Sequence, residues 1–255
     1  MFEGNSKIQN LILSWPPGAV FPVTVLVDRK YSHALLEHYR RSKWLESVGI
    51  GALKRAGDKL TVFGGVFGLQ QLKLSVHVGA GTALELEGLS QYAPVARRPI
   101  TLVGRPKERL PSWFRGYDWG VKVRYVTTDM FGADRVGLEE KDFGTFKILV
   151  SSPERAMFEE LRGLKTAQDY QHCLELMENL WNGRPILLEQ LLKHCTSFKV
   201  KRLFLHLASR TQQPWLERLS ISSVDLGRGK RSIIKGGSFD SKYLITVPQI
   251  SADGS

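Results

Sequence analysis

The sequence predicts an α/β (α+β) protein in which a small N-terminal module precedes a larger mixed C-terminal part carrying a helical block. Three observations predict it. Residues 23–56 read as a short helix, a turn, a second helix and a two-stranded β-hairpin. Strand-like runs at 99–104, 121–128 and 146–150 alternate with turns and helical stretches. From 151 to 209, well-capped amphipathic segments follow one another, before a glycine-punctuated stretch at 224–248.

The first helix is expected to open at Asn5 or Ser6, with Ile8, Leu11, Ile12 and Trp15 as its apolar stripe and Pro16-Pro17-Gly18 as its stop. A short element at 23–29 packs beneath the next helix. Ser32 caps that helix, because its hydroxyl can accept one of the free amides of the first turn. Leu35, Leu36 and Tyr39 fall on one side; His33, Glu37, Arg40 and Arg41, at i, i+4, i+7 and i+8, fall on the other. The helix ends near Lys43 or Trp44. Residues 45–48 extend, 49–51 (Gly-Ile-Gly) turn, and 52–55 return.

This is the layout of a winged helix-turn-helix, whose second helix enters the DNA major groove while the wing touches backbone or minor groove. The alternative is a small helical piece with a solvated basic face. If the layout holds, His33, His38, Arg40 and Arg41 reach base edges or flanking phosphates, and Lys43, Lys54 and Arg55 hold the backbone.

Asp58 is placed to end this module and to cap a helical stretch at 60–74, whose glycines at 64, 65 and 68 permit close packing. A short strand at 75–78 leads through Gly79-Ala80-Gly81-Thr82 into a helix reaching Leu89. A glycine-rich strand-to-helix turn can cradle phosphate, but this one lacks both the third glycine of a dinucleotide fingerprint and the Lys-Ser/Thr of a P-loop. Between the strands at 99–104 and 121–128 lies LPSWFRGYDWG. Its Trp113, Phe114, Tyr117 and Trp119, beside Arg109 and Arg115, suit either a buried core cluster or stacking on single-stranded nucleic acid.

Ser151-Ser152-Pro153-Glu154 is a helix start with a hydroxyl cap, a first-turn proline and an acidic residue. Further helices are expected at 170–180, 185–195 and 198–209, then a helical turn at 215–219 and irregular strands over 224–248. The expected organisation is thus 1–58, 59–248 and a small polar tail at 249–255, for a chain of 255 residues with 42% apolar content.

Thirty-six Lys/Arg against twenty-five Asp/Glu give a net charge of +11. The charge is distributed as +4 over 1–59, +3 over 60–150, −2 over 151–198 and +6 over 199–255. Two basic ends flanking a slightly acidic helical block suit a polyanion partner. A second basic cluster, Lys199, Lys201, Arg202, Arg228, Lys230, Arg231 and Lys235, either extends a DNA footprint, serves a protein-directed role, or is solvated surface.

Enzyme constellations are absent: no HExxH, paired CxxC, GxSxG or kinase signature occurs, and the six histidines are scattered. His77 reads as core, and His172 and His194 as packing or surface residues. Cys173 and Cys195 fit buried small hydrophobes better than a disulfide framework or a zinc site, which suits a reducing cytoplasm. No run has the length of a membrane span. No cofactor and no metal site is expected. A stand-alone regulator whose large domain senses a ligand or a protein is the second reading.

Six stretches, taken together and in order, resemble the AbiEi family of antitoxins, regulators of bacterial type IV toxin–antitoxin and abortive-infection systems. They are SKWLESVGIGALKRAGD (42–58), VHVGAGTALELEG (76–88), LPSWFRGYDWGVKVRYVTT (110–128), SSPERAMFEEL (151–161), KVKRLFLHLA (199–208) and LGRGKRSIIKGGSFDSKYLITVP (226–248). The likeness is to the branch with a full-length C-terminal antitoxin-type domain. It implies a winged-helix domain that binds operator repeats and represses its own operon. It also implies a C-terminal domain that counteracts a nucleotidyltransferase-like toxin, without requiring a stable complex. Related members often carry a basic residue in the wing turn where this chain has Ile50, which leaves Lys54 and Arg55 as the better wing candidates.

Overall fold

The computed structural model of the chain describes residues 7–89 and 98–249. The cap expected at Asn5 or Ser6 lies outside them, as does residue 250 onward of the expected tail. The described residues form two compact units: 7–77, 98–127 and 140–149 in the first, and 78–89, 128–139 and 150–249 in the second.

The first unit begins α1 (Lys7–Ser14), β1 (Phe21–Pro22), α2 (Val23–Asp28), α3 (His33–Arg41), β2 (Leu45–Gly49) and β3 (Ala52–Arg55). The three strands pair in the order β1-β3-β2, all antiparallel. This is the element order of a winged helix-turn-helix. The two-residue β1 has no periodicity to announce it and exists because Phe21 and Pro22 pair with Leu53 and Ala52. One core gathers Leu11, Trp15, Phe21, Leu26, Leu36, Tyr39, Leu45 and Leu53, so the apolar faces of all three helices and the wing close on the same point.

Helix α4 (Val62–Gln71) follows. Asp58 does not cap it. Its Oδ2 accepts the Gly18 amide at 2.8 Å, while Thr61 Oγ1 accepts from Gly64 N at 3.4 Å as the cap. The Asp58–Gly18 bond spans forty residues and leaves no local trace in the sequence. The expected glycine stripe of α4 does its work by close approach. A Cβ at Gly64 would collide with the Gly18 carbonyl, at Gly65 with the Phe114 and Trp119 rings, and at Gly68 with the Val20 carbonyl.

Strands β4 (His77–Val78), β5 (Ile100–Gly104), β6 (Val123–Thr127), β7 (Leu138–Asp142) and β8 (Lys147–Ser151) hydrogen-bond in the order β6-β5-β4-β8-β7. Strands β5 and β6 run parallel from Ile100↔Val123 to Gly104↔Thr127, and Val78 pairs in parallel with Val150. Strand β7, sequence LEEKD, was not expected: four of its five residues carry charge and its side chains are at most half-buried, so no apolar run betrays it. Helix α5 (Ala80–Leu86) stops short of Leu89, and the five-residue α6 (Ser112–Gly116) is too short for a periodic signal. Within the first unit, Gln70 bridges Val76 O and both backbone groups of Leu149.

The second unit carries α7 (Pro153–Gly163), α8 (Ala167–Asn179), α9 (Pro185–His194) and α10 (Phe198–Arg210), then β9 (Arg231–Ser232), β10 (Ser238–Asp240) and β11 (Ile245–Val247) in the order β10-β11-β9. Ser152 caps α7 and Pro153 opens it, as its first four residues predict. Thr166 and Asp169 form a reciprocal capping box on α8. The block closes on Ala156, Met157, Phe158, Leu161, Leu203, Phe204 and Leu207, with the Phe158 and Phe204 rings stacked at 4.3 Å.

Two carboxylates of this unit make it acid-sensitive. Glu154 is 2% exposed. Burial pushes its pKa up, but the Arg184 guanidinium, bidentate at 2.8 Å on each oxygen, and the Arg184 amide at 3.0 Å outweigh burial and hold it below the ordinary 4.5. Burial likewise opposes ionisation of Asp240, and the His206 hydrogen bond at 2.5 Å with the amides of Tyr243 and Lys242 holds it below 3.8. Groups depressed on folding contribute fully above their unfolded values and lose that contribution as pH falls through the folded ones. Thermal stability is therefore expected to hold from pH 7 to about 5 and to fall below about 4. Arg184→Gln is expected to cost about 1–3 kcal/mol at pH 7, because the arginine is half exposed, and to move the acid transition to higher pH. Melting curves between pH 3 and 7 check both; an acid transition unmoved by the substitution rejects the account.

Candidate nucleic-acid interface

Helix α3 is built to present one face. Ser32 Oγ accepts from Leu35 N at 3.3 Å and fixes its start. Leu36 and Tyr39 are 3% and 6% exposed, so the opposite face is turned to solvent. Its end is a Schellman-type stop. Trp44 N donates to Tyr39 O at 2.9 Å and Lys43 N to Arg40 O at 3.0 Å, with Lys43 at φ +58°. Glycine would occupy that left-handed position at lower cost. A lysine held there stands at the C-terminal end of the helix, where the macrodipole favours positive charge. His38, Arg40 and Arg41 share that last turn.

His33, His38, Arg40, Arg41 and Lys43 are all exposed and lie on or at the end of α3. The structure therefore brings five of the seven expected contact residues onto one helix. Glu37 stands among them. Its Oε2 lies 2.7 Å from Arg40 Nη1 and its Oε1 3.4 Å from Arg41 Nε. Such exposed pairs are weak and exchange readily for phosphate or base partners.

The wing cations are placed differently. Lys54 is 15% exposed; its ammonium holds Glu46 at 2.9 Å and the Asp58 carbonyl at 2.7 Å. Arg55 donates to the Trp15 carbonyl at 3.2 Å and lies 3.9 Å from Asp58. Both brace the base of the wing. That contact set was hidden from the sequence because Trp15 and Arg55 are forty residues apart.

Between α3 and the wing runs a groove of about 520 Å³ lined by His33, Glu37 and Arg40 on the helix and by Ser47 and Ile50 on the wing. Ser47 and Ile50 escape a search for cations. The signal for Ile50 is its place between two glycines at a hairpin tip, where it stands 88% exposed. The wing strands pair from Leu45↔Arg55 to Gly49↔Ala52 with an irregularity after Ser47.

The second basic cluster does not form one surface. Arg202 is 1% exposed and Lys201 4%, the latter with its ammonium 5.1 Å over the Phe198 ring. Lys199 is half-buried, and burial first, then nearby Lys165, lowers its pKa. Arg228, Lys230, Arg231 and Lys235 are exposed. Long alternating Lys/Arg runs read as surface, but here α10 is covered by the C-terminal segment on the side that carries Arg202.

The turn before α5 is closed to phosphate. The Ala80 amide donates to Glu159 at 3.0 Å and the Gly81 amide to Glu160 at 2.9 Å, so α7 carboxylates occupy the amides an anion would need. His77 is buried in β4, with Nδ1 3.0 Å from the Ser75 carbonyl. Cys173 and Cys195 are unbridged and buried. Burial drives both thiols up, that of Cys195 to about 11, so neither supplies a thiolate. Among the described residues no group of His, Cys, Asp and Glu is placed to hold a metal ion, and no helix is long and apolar enough to cross a membrane.

Two family models match the chain. Residues 4–95 match the N-terminal domain of the AbiEi antitoxin transcriptional regulators. Residues 97–248 match the transcriptional regulator, AbiEi antitoxin, of type IV toxin–antitoxin systems. No curated protein matches. Among solved structures, the RV2827C protein from Mycobacterium tuberculosis is similar in fold, with a TM-score of 0.57 over 94% of this chain and 89% of that chain, at 14% identity.

Proposed function

Because the chain belongs to the AbiEi antitoxin family of type IV toxin–antitoxin transcriptional regulators, we propose that it binds the operator of its own operon, represses it, and counters a nucleotidyltransferase-like toxin. The observation that carries the DNA reading is the exposed arc of His33, His38, Arg40, Arg41 and Lys43 on a capped helix beside a wing-bounded groove. In this reading α3 lies in the major groove. Arg40 and Arg41 read bases, as arginine does most often at guanine, and the two histidines reach base edges or flanking phosphates. Lys43 holds the backbone, and Lys54 and Arg55 set the wing rather than reaching far from it.

The module that touches DNA is contained in residues 1–58. Residues 59–248 carry the antitoxin role, and the exposed Arg228, Lys230, Arg231 and Lys235 serve either the DNA footprint or that role. The protein acts in the cytoplasm, without a cofactor and without catalysis of its own.

The test is binding of the purified protein to its own upstream DNA against a scrambled duplex at several salt concentrations. The upstream repeats are expected to bind roughly a thousandfold tighter or more. Equal, steeply salt-dependent binding to both duplexes reduces the interaction to generic basicity and rejects the regulator reading. Co-expression with a nucleotidyltransferase-like gene from beside this one tests the antitoxin half: growth rescue by the full chain supports it, and toxicity undiminished by the full chain rejects it.

A further inference from the structure

The aromatic segment 110–120 divides into two populations. Trp113 and Phe114 are 4% and 2% exposed and belong to the core of the first unit. Tyr117 and Trp119 are only half-buried. With Phe114 and Tyr125 they wall a cleft of about 730 Å³, at whose rim stand Arg109 and Arg115. The volume falls within the range of small-ligand sites.

The cleft is built, not incidental. Trp119 Nε1 donates to the Phe114 carbonyl at 2.8 Å, which fixes the indole edge and leaves its faces for packing. The Tyr117 and Trp119 centroids are 4.6 Å apart at 50°, and those of Phe114 and Trp119 5.0 Å apart at 37°. Strand β6 contributes Val123, Tyr125 and Thr127 at a two-residue spacing, so one face of the strand lines the cleft. Tyr125 lies directly over Gly104, where any Cβ would strike its ring, and its hydroxyl donates to the Glu108 carbonyl at 3.3 Å.

The charge is one-sided. The Glu108 carboxylate is committed to Ser75, at 2.6 Å to the hydroxyl, and to the Arg105 amide. Asp118 accepts from Gly120 N. Arg115 spends only Nε, on the Leu110 carbonyl at 3.1 Å, which leaves its terminal nitrogens. Arg109 is exposed and makes no hydrogen bond or ion pair among the described residues. Two guanidinium groups at the mouth of an aromatic cleft match a flat ring joined to a phosphate.

We propose that this cleft binds a nucleotide, its base against Trp119 and Tyr117 and its phosphate on Arg109 and Arg115. The nucleotide is either free or the terminal residue of a single strand. The proposal stands apart from operator recognition, which uses other residues.

The experiment titrates the full chain with each of the four nucleoside monophosphates, their nucleosides, and short single-stranded oligonucleotides with and without a 5′-phosphate. Calorimetry and tryptophan fluorescence are the readouts. At least one monophosphate is expected to bind saturably at one site and quench fluorescence, with its nucleoside about tenfold weaker or more. Arg109→Glu and Tyr117→Ala are each expected to weaken binding about tenfold or more, while circular dichroism and operator affinity stay unchanged. A phosphorylated oligonucleotide that outbinds the monophosphate identifies a strand end as the source; equal affinity identifies the free nucleotide. No saturable binding at low-millimolar concentration, binding indifferent to Arg109→Glu, or an operator affinity that falls in parallel overturns the proposal.

Discussion

Arg40→Ala combined with Arg41→Ala is expected to weaken binding to the upstream operator on the order of a hundredfold or more, because each arginine that reads a base contributes about 1–3 kcal/mol. The fold should not notice. Both side chains are exposed and their partner is the shared, half-exposed Glu37, so the lost ion pairs are worth at most about 1 kcal/mol. Alanine also favours the helix as much as arginine does or more. The melting temperature should stay within about 3 °C. Salt dependence then assigns the contact type. If the two arginines read bases, the slope of affinity against salt is nearly preserved and preference for the operator over a scrambled duplex drops. If they touch phosphates, the slope falls by about one for each and the preference survives. Unchanged affinity and unchanged preference would remove α3 from the interface. Glu37→Gln is the companion variant: it removes the carboxylate that both arginines must leave and that would repel phosphate, so it should raise affinity for any duplex.

Helix α3 was legible because everything it needs is local. Ser32 caps it, the apolar residues recur at helical spacing, and the polar face is free of competing packing, so sequence order and spatial role coincide. The wing was legible for a similar reason, since Gly49 and Gly51 bracket its tip. What the sequence hid depends on partners far along the chain. Lys54 and Arg55 look like any solvent-facing wing cations until Trp15 and Asp58 close on them. Asp58 looks like a helix cap until the Gly18 amide claims it. Strand β7 carries no apolar signature, since its place in the sheet rests on backbone pairing and not on a buried face. The aromatic segment was readable as either core or stacking surface, and the structure divides it between the two: position 113 faces inward, while 117 and 119 stay half open. The Lys/Arg run of α10 reads as surface because one sequence cannot reveal that a segment some twenty-five residues later folds over it.

Arg202 is where that concealment matters most. Its guanidinium is 1% exposed and donates Nε to Leu226 O at 2.7 Å, Nη1 to Gly229 O at 2.5 Å and Leu244 O at 3.1 Å, and Nη2 to Gly227 O at 2.9 Å. Four carbonyls of the C-terminal segment thus converge on one planar donor set, which is what holds this glycine-punctuated stretch onto α10. Arg202→Ala leaves those acceptors buried without a donor and opens a void. It is therefore expected to cost at least about 3 kcal/mol of stability. Arg202→Lys should recover only part of this, because a single ammonium cannot meet four carbonyls fanned around a planar fork. Denaturant unfolding measures the loss, and limited proteolysis should place the new cleavage within 226–245. Neutralising Arg228, Lys230, Arg231 and Lys235 instead should leave stability nearly unchanged, since all four are exposed. If they contact phosphate, operator affinity and its salt slope fall; if neither falls, those charges face something other than DNA. An Arg202→Ala protein as stable as the unaltered chain would mean that the segment is held by its own β9–β11 and β10–β11 pairing, and that the arginine merely fills the space beneath it.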